Sequence, residues 1–155
     1  MTPRVDVMKY LGTDAGRAML SLGKAVEASG VEPTILGLVQ LRASQINGCA
    51  YCIDMHTKDA RARGETEQRL YLVNAWRESP MFSERERAAM EWAEAITRVA
   101  DTHVSDDVYE RARGHFDEAQ LVALTFAAAA INAFNRLTIS LRVPAGSYQP
   151  QKVNA

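Results

Sequence analysis

The sequence predicts an all-α protein. No stretch shows the period-two alternation of a half-buried strand, and most stretches between turn residues carry apolar side chains three and four positions apart. Stop signals recur at Gly30 with Pro33, at Gly48, Gly64, Pro80 and Gly114, and at Pro144 with Gly146. They divide the chain into about seven helices. With 155 residues, 47% of them apolar and 24% charged, one domain over 1–155 has enough interior to fold without covalent staples.

In order, the spacing places a short helix near Val5 and then helices near 14–28, 33–46, 49–63, 66–77, 83–100, 105–113 and 118–141. Pro33 suits the first turn of the second helix and Gly48 ends it. Arg61-Ala62-Arg63-Gly64 and Arg111-Ala112-Arg113-Gly114 put cations in a last turn with glycine just beyond, and both read as helix stops. Ser83-x-x-Glu86 has the form of a capping box. Leu121 to Ile131 is apolar on every side, so that helix must be covered all round, with Ala127 to Ala130 allowing close approach. A helix of roughly 35 Å is too long for a chain of this size to wrap, so burial at a subunit interface, and hence a homo-oligomer, is expected. After Pro144 the polar tail is expected to run along a surface.

Lysine and arginine number 18 against 19 aspartates and glutamates, and no basic run marks a face that would track phosphates, so nucleic acid is not an expected partner. The first residues lack the apolar core of a secretory signal. The longest apolar run, Leu121 to Ala133, is broken by Thr125 and Asn132 and is too short to cross a bilayer. A cytoplasmic protein with no membrane partner is expected.

The chemistry concentrates in Asn47-Gly48-Cys49-Ala50-Tyr51-Cys52-Ile53-Asp54-Met55-His56, which holds both cysteines and one of three histidines. A loop this short makes a poor structural disulfide, and cytosolic reductants oppose it, which leaves redox chemistry or metal binding. At about 100° per residue Cys49 and His56 nearly eclipse, with Cys52 on the same helix face. The imidazole, at i+4 from Cys52, can reach that thiol directly or through one water. The thiolate is the nucleophile, and a neighbouring imidazole and the unpaired amides of a first helical turn both favour it. Once Cys52 is oxidised to a sulfenic acid, Cys49 can condense with it to a disulfide that an outside thiol recycles. A closed zinc site needs four ligands, and His103 and His115 lie in distant segments, so no metal is expected.

The run Leu41-Arg42-Ala43-Ser44-Gln45-Ile46-Asn47-Gly48-Cys49-Ala50-Tyr51-Cys52-Ile53-Asp54-Met55-His56 resembles the core of the AhpD-like alkylhydroperoxidases, within the carboxymuconolactone decarboxylase superfamily. The similarity extends from about Ile35 to Arg77, a redox core within 33–77, with weaker echoes in Phe82 to Thr97 and Ile131 to Arg136. The resemblance implies an all-helical protein, assembled as trimers or hexamers, that reduces peroxides through a cysteine pair without metal, haem or other cofactor. It maps the peroxidatic cysteine to Cys52, the resolving cysteine to Cys49 and the histidine of the proton relay to His56. Such proteins carry a relay glutamate twelve residues before the first cysteine; here that position is Gly37.

Glu86, at the border of the apolar face of the helix near 83–100, is the first substitute for that glutamate, in competition with the capping box that would occupy it. Glu94 points away from that face and would serve only if covered by another element. Gly37 also has a purely structural use, letting the redox helix approach closely. Tyr51 and Trp76 are candidates to line the pocket, although aromatics at helical spacing commonly belong to the core. Asn132, Asn135 and Arg136 read as interface or capping groups. The expected function is a thiol peroxidase acting on organic hydroperoxides or hydrogen peroxide, recycled by a dithiol reductant the sequence does not identify. The alternatives are a redox-sensing or interaction oligomer and a decarboxylase of the same superfamily, which would have no need of paired thiols.

Overall fold

A computed structural model of the chain describes residues 2–150. A 3-10 turn over Val7–Tyr10 leads into α1 (Asp14–Glu27), α2 (Pro33–Asn47), α3 (Ala50–Ala62), α4 (Glu67–Leu72), α5 (Glu84–Thr97), α6 (Val99–Thr102), α7 (Asp106–Arg113) and α8 (Glu118–Leu141), with no strand among the described residues. Thr13, Thr66, Ser83 and Asp117 each accept a first-turn amide of the helix that follows, and Ser83 with Glu86 and Asp117 with Gln120 close reciprocal capping boxes. The first helix ends at Glu27 with Ala28 as its C-cap, and the chain turns toward α2 at Gly30, which adopts a left-handed φ of 83°.

α2 is the centre of the assembly, packing against α3, α5 and α8. It buries Ile35, Leu36, Leu38, Val39, Leu41 and Ala43, an apolar surface too broad for a helix covered on one side. One core joins Ile35 and Val39 to Val26, Trp92, Phe116 and Leu124. A second joins Leu38 and Leu41 to Leu70, Val73, Trp76, Phe82 and Met90. A third, smaller one holds Ala43, Cys49, Cys52 and Ile131. The site is therefore built on the same helix that anchors the two larger cores.

Three elements differ from the sequence expectation. The helix expected at 66–77 is α4 followed by a 3-10 segment, Val73–Glu78, kinked at Ala75 (φ −118°, ψ 29°), and this turns Trp76 into the second core. The helix expected at 83–100 stops at Thr97; Arg98, at φ −105° and ψ 31°, separates it from α6, and His103 and Val104 both take positive φ before Ser105. Gly64 has the left-handed φ of 95° that its stop signal demands, but Gly114 keeps a right-handed φ of −64°. The turn continues through it, with the amides of His115 and Phe116 both bonding Ala112 O, and delivers Phe116 to the first core.

α8 contributes Leu121, Leu124, Ala127, Ala128 and Ile131 to the interior. It is long and apolar enough to cross a membrane by composition alone, yet that inner face is a core face. Its outer face is not covered within the chain: Val122 and Phe126 are 50% and 55% exposed. After Pro144 the chain crosses α3, where Lys58 Nζ donates to the carbonyls of Gly146 and Tyr148, Asp54 accepts the Gly146 amide and the Tyr148 hydroxyl donates to Asp59. The end of the tail, 151–155, lies outside the described residues.

Two glycines on α2 have opposite expected responses to alanine. Gly48, in the left-handed region with open space around a Cβ, carries only the conformational penalty, so Gly48→Ala should cost about 1 kcal/mol. Gly37 lies inside the helix with no heavy atom within 4 Å of an added Cβ, so Gly37→Ala should stabilise by about 0.5–1 kcal/mol. Urea midpoints of the two variants should move in opposite directions from the parent.

Candidate active site

α2 ends by turning its last carbonyls back on the chain: Gly48, at φ 69° and ψ 31°, allows its own amide to reach Gln45 O and the Cys49 amide to reach Ser44 O. The turn leaves Cys49 extended, at φ −82° and ψ 94°, as the N-cap of α3. Its Sγ accepts the Cys52 amide at 3.3 Å. Cys52 lies one turn on, and the two sulfurs are 2.6 Å apart. Both residues are 1% exposed and both are free thiols.

The third group at the sulfurs comes from α8. Thr138 Oγ1 lies 3.0 Å from Cys49 Sγ and 3.4 Å from Cys52 Sγ, and also 2.9 Å from Phe134 O and 3.1 Å from Asn135 O. Beside it Asn135, fully enclosed, accepts from Asn47 Nδ2 at 2.8 Å and donates to Ser44 Oγ at 3.1 Å. Asn47 also donates to Asn132, and Asn132 to Thr97 and Ala128 O. This network pins α8 to the last turns of α2, with the side-chain oxygens of Asn132 and Asn135 both occupied. From the sequence Asn132 and Asn135 read as interface or capping groups, and the one signal for Thr138 is a polar residue recurring every third position, Asn132, Asn135 and Thr138, on an otherwise apolar helix.

The cysteines differ electrostatically. Cys49 is pushed down from 9 to about 6, first by the thiol hydrogen bond from Cys52 and then, against the cost of burial, by the Thr138 hydroxyl, the Cys52 amide and Asn135. Cys52 is pushed up by the same shared proton and by burial. At neutral pH the pair holds one proton between two sulfurs, with the charge favoured on Cys49. The charge is stabilised by hydrogen bonds and the first turn of α3.

His56 shares the helix face but forms no hydrogen bond with Cys52. Its Nε2 is enclosed with no partner among the described residues. Burial, with a smaller push from Arg63, lowers its pKa to about 4, so the ring is neutral at pH 7. Tyr51 is half-buried against the cysteine cluster. Glu86, expected as a relay group, stands elsewhere. Its Oε2 accepts the Ser83 amide at 2.8 Å and the Ser83 hydroxyl at 3.1 Å, and its Oε1 accepts from Arg69 Nη2 at 2.6 Å. The capping box and an ion pair occupy both oxygens, and none of these partners belongs to the cysteine cluster.

Glu94 does not face away from the protein: Arg42 of α2 and the 3-10 segment after α4 cover it. Its carboxylate accepts from Arg42 Nε at 2.6 Å, Trp76 Nε1 at 2.9 Å and Arg77 Nη1 at 2.6 Å. Burial works to raise its pKa, and these donors outweigh it and hold the group below the usual carboxylate value. Trp76 thus belongs to the second core, with Arg77 and Arg87 over its ring, rather than to the cysteine site. Gly37 borders a cavity of about 140 Å³ together with Pro33, Thr34, Leu38 and Arg63.

Residues 13–95 match the model of the carboxymuconolactone decarboxylase family. The uncharacterized protein YdfG of Bacillus subtilis strain 168 is 41% identical over 141 residues, 91% of this chain and 95% of YdfG. A protein of unknown function from Agrobacterium tumefaciens, offered as a candidate antioxidant defence protein AhpD, is 39% identical and superimposes with a TM-score of 0.90 over 95% of this chain and all of its own. An uncharacterized peroxidase-related protein with an AhpD core, from Ralstonia eutropha JMP134, is 18% identical and shares the fold, with a TM-score of 0.80 over 95% of this chain and 78% of its own. The chain belongs to the carboxymuconolactone decarboxylase family, on its AhpD-like branch.

Two measurements probe these electrostatics. Glu94→Gln leaves Arg42 buried without its counter-charge and should cost about 3 kcal/mol in urea denaturation. Because the folded-state pKa of Glu94 is depressed, its contribution is present above the ordinary 4.5 and is lost as pH falls through the folded value, so the gap between parent and variant should close in acid. His56 acts in the same direction, through a buried ring that stays neutral rather than a paired carboxylate. Below the ordinary 6.5 the unfolded chain takes up a proton that the folded chain refuses until about pH 4. Stability should therefore fall by about 3 kcal/mol across that window, and His56→Gln should lack this part of the acid destabilisation.

Proposed function

We propose that this chain is a thiol peroxidase that reduces small organic hydroperoxides or hydrogen peroxide with Cys49 and Cys52. The observation that carries this reading is the pair itself: two free cysteines with sulfurs 2.6 Å apart at a helix N-terminus, sealed from solvent. A decarboxylase of the same family would not need that arrangement, and among the described residues no group of three or more His, Cys, Asp and Glu side chains is placed to hold a metal ion.

In the proposed cycle Cys52 attacks the terminal peroxide oxygen while its proton passes to the Cys49 thiolate. The S–O bond forms as the O–O bond breaks, and the departing alkoxide takes the proton back from Cys49 and leaves as an alcohol. Cys49, again a thiolate, attacks the sulfenic sulfur of Cys52. Hydroxide leaves, takes a proton from solvent and becomes water, and the S–S bond closes. An outside dithiol restores both thiols by exchange and is itself oxidised to a disulfide. His56, neutral and with an unpartnered Nε2, is the further proton acceptor on this face of α3. No cofactor is required. The exposed Val122 and Phe126 on α8 support assembly through that face; the trimer or hexamer belongs to the family resemblance, and a cytoplasmic location is part of the same proposal.

Mass spectrometry of the reduced protein after one equivalent of cumene hydroperoxide tests the reading. The parent should lose two protons within the first time points, Cys49→Ser should accumulate a sulfenic acid trappable with dimedone, and Cys52→Ser should stay unmodified. A parent that reacts no faster than free cysteine would remove the peroxidase and leave the redox-sensing oligomer as the better reading.

A further inference from the structure

The cysteine site has a hydroxyl that neither the helix face of α3 nor the capping geometry accounts for. Thr138 brings one proton to four acceptors: Phe134 O at 2.9 Å, Asn135 O at 3.1 Å, Cys49 Sγ at 3.0 Å and Cys52 Sγ at 3.4 Å. Only one or two of these can receive it at a time. A hydroxyl in a helix ordinarily donates to the carbonyl four residues back, here Phe134 O. In that orientation its lone pairs can accept an S–H but can do nothing for a sulfur anion.

The anion has no charged donor. Besides Thr138, Cys49 Sγ is met by the Cys52 amide at 3.3 Å and by the Cys52 thiol at 2.6 Å, with Asn135 beside it. On α2 the neighbouring groups are Ala43, Ser44 and Asn47, and on α8 they are Ile131, Asn135 and Phe134, all neutral. Arg136 of α8 is directed to Asn132. On α3 itself the titratable neighbours are Tyr51, His56 and Asp54; the ring of His56 is neutral at pH 7, and Asp54 is engaged by Lys58 and the Gly146 amide. A rotation about the Cβ–Oγ bond of Thr138 supplies a further donor, the one hydroxyl that reaches both sulfurs. It costs little, because Phe134 O and Asn135 O lie within α8 and keep their helical bonds.

We infer that Thr138 is a catalytic residue of this site: its hydroxyl donates to the α8 backbone while both cysteines are thiols, and turns to donate to the sulfur that ionises. Its role in turnover rests on the peroxidase reading; its role in setting the thiolate does not. The same rotor serves both ionisations of the proposed cycle, since Oγ1 reaches either sulfur without moving its carbon frame.

The test needs no peroxide. Thiolate formation in the reduced protein is followed by absorbance at 240 nm against pH, with the rate of iodoacetamide labelling as a second readout. Thr138→Val keeps the shape and removes the donor. Its ionisation midpoint should rise by about one pH unit, with labelling at pH 5, below both midpoints, slower by about tenfold, the loss of one charge-assisted hydrogen bond. Thr138→Ser keeps the donor and should titrate within a few tenths of a unit of the parent. Thr138→Ala, which also removes the donor, replaces the valine variant should that one not fold, as judged by circular dichroism. Equal midpoints for the parent and the hydroxyl-free variant would overturn the inference, as would a parent that titrates in the ordinary cysteine range. A parent with a low midpoint and a normal Thr138→Val shift but no reaction with cumene hydroperoxide would sustain the thiolate role and remove the peroxidase.

Discussion

The site depends on the chain reversal at Gly48. α2 arrives as the most enclosed helix of the protein and must end with its last carbonyls satisfied; the left-handed turn does this with the amides of Gly48 and Cys49. The same turn sets Cys49 extended, so its side chain, and not a serine or aspartate, closes the start of α3. A neutral thiol is a weak acceptor and makes a poor cap, whereas a thiolate is a strong one. The first turn of α3 is consequently held best when Cys49 is charged, which links the local stability of the helix to the ionisation of the pair.

α2 separates two kinds of polar environment. Toward α5 and the 3-10 segment it presents Arg42 to the Glu94 carboxylate, a charged and fully satisfied cluster. Toward α8 it presents Ser44 and Asn47 to Asn135 and Asn132, a neutral network. The division matters for the sulfurs. A guanidinium beside them would hold the thiolate so firmly that its nucleophilicity fell with its pKa, while amides and a hydroxyl lower the pKa moderately and can reorient as charge moves.

Much of this was legible in the sequence because it is local. The bounds of α1, α2, α3, α7 and α8 follow from caps, prolines, glycines and 3.6-residue periodicity, and the cysteine pair declares itself by spacing on a helix that begins at Cys49. The capping box at Ser83 and Glu86 was equally local, and it decides against the relay role that the helix face alone suggested for Glu86. What stayed hidden is long-range. Thr138 is 86 positions from Cys52, and its one local mark, third place in the polar series Asn132, Asn135 and Thr138, does not say that it meets the sulfurs. Glu94 looked outward because the element that covers it, the kinked segment carrying Trp76 and Arg77, reads as ordinary helix in the sequence. The break at Arg98 lies in a run of helix-compatible residues whose ending is set by tertiary contacts, among them the Thr102 hydroxyl donating to Ala95 O.

The absence of a carboxylate at position 37 is easier to understand from the sulfurs than from the histidine. A relay is needed when the attacking thiol has no base of its own and a distant group must remove its proton. Here the second sulfur is 2.6 Å away and already favours the anion, so on the proposed cycle Cys49 serves as base, proton donor and resolving nucleophile in turn. His56 can then remain neutral with an unpartnered nitrogen, a condition costly for a group whose function depended on a standing charge. The arrangement has a consequence for recycling. When the disulfide forms, the anionic cap of α3 is lost and the Thr138 hydroxyl has no thiolate to serve, so the first turn is held less tightly at the moment a reductant must reach sulfurs that are 1% exposed. Local opening of that turn, drawn from the least stabilised end of the helix, is the physical route by which an enclosed disulfide can be reduced from outside.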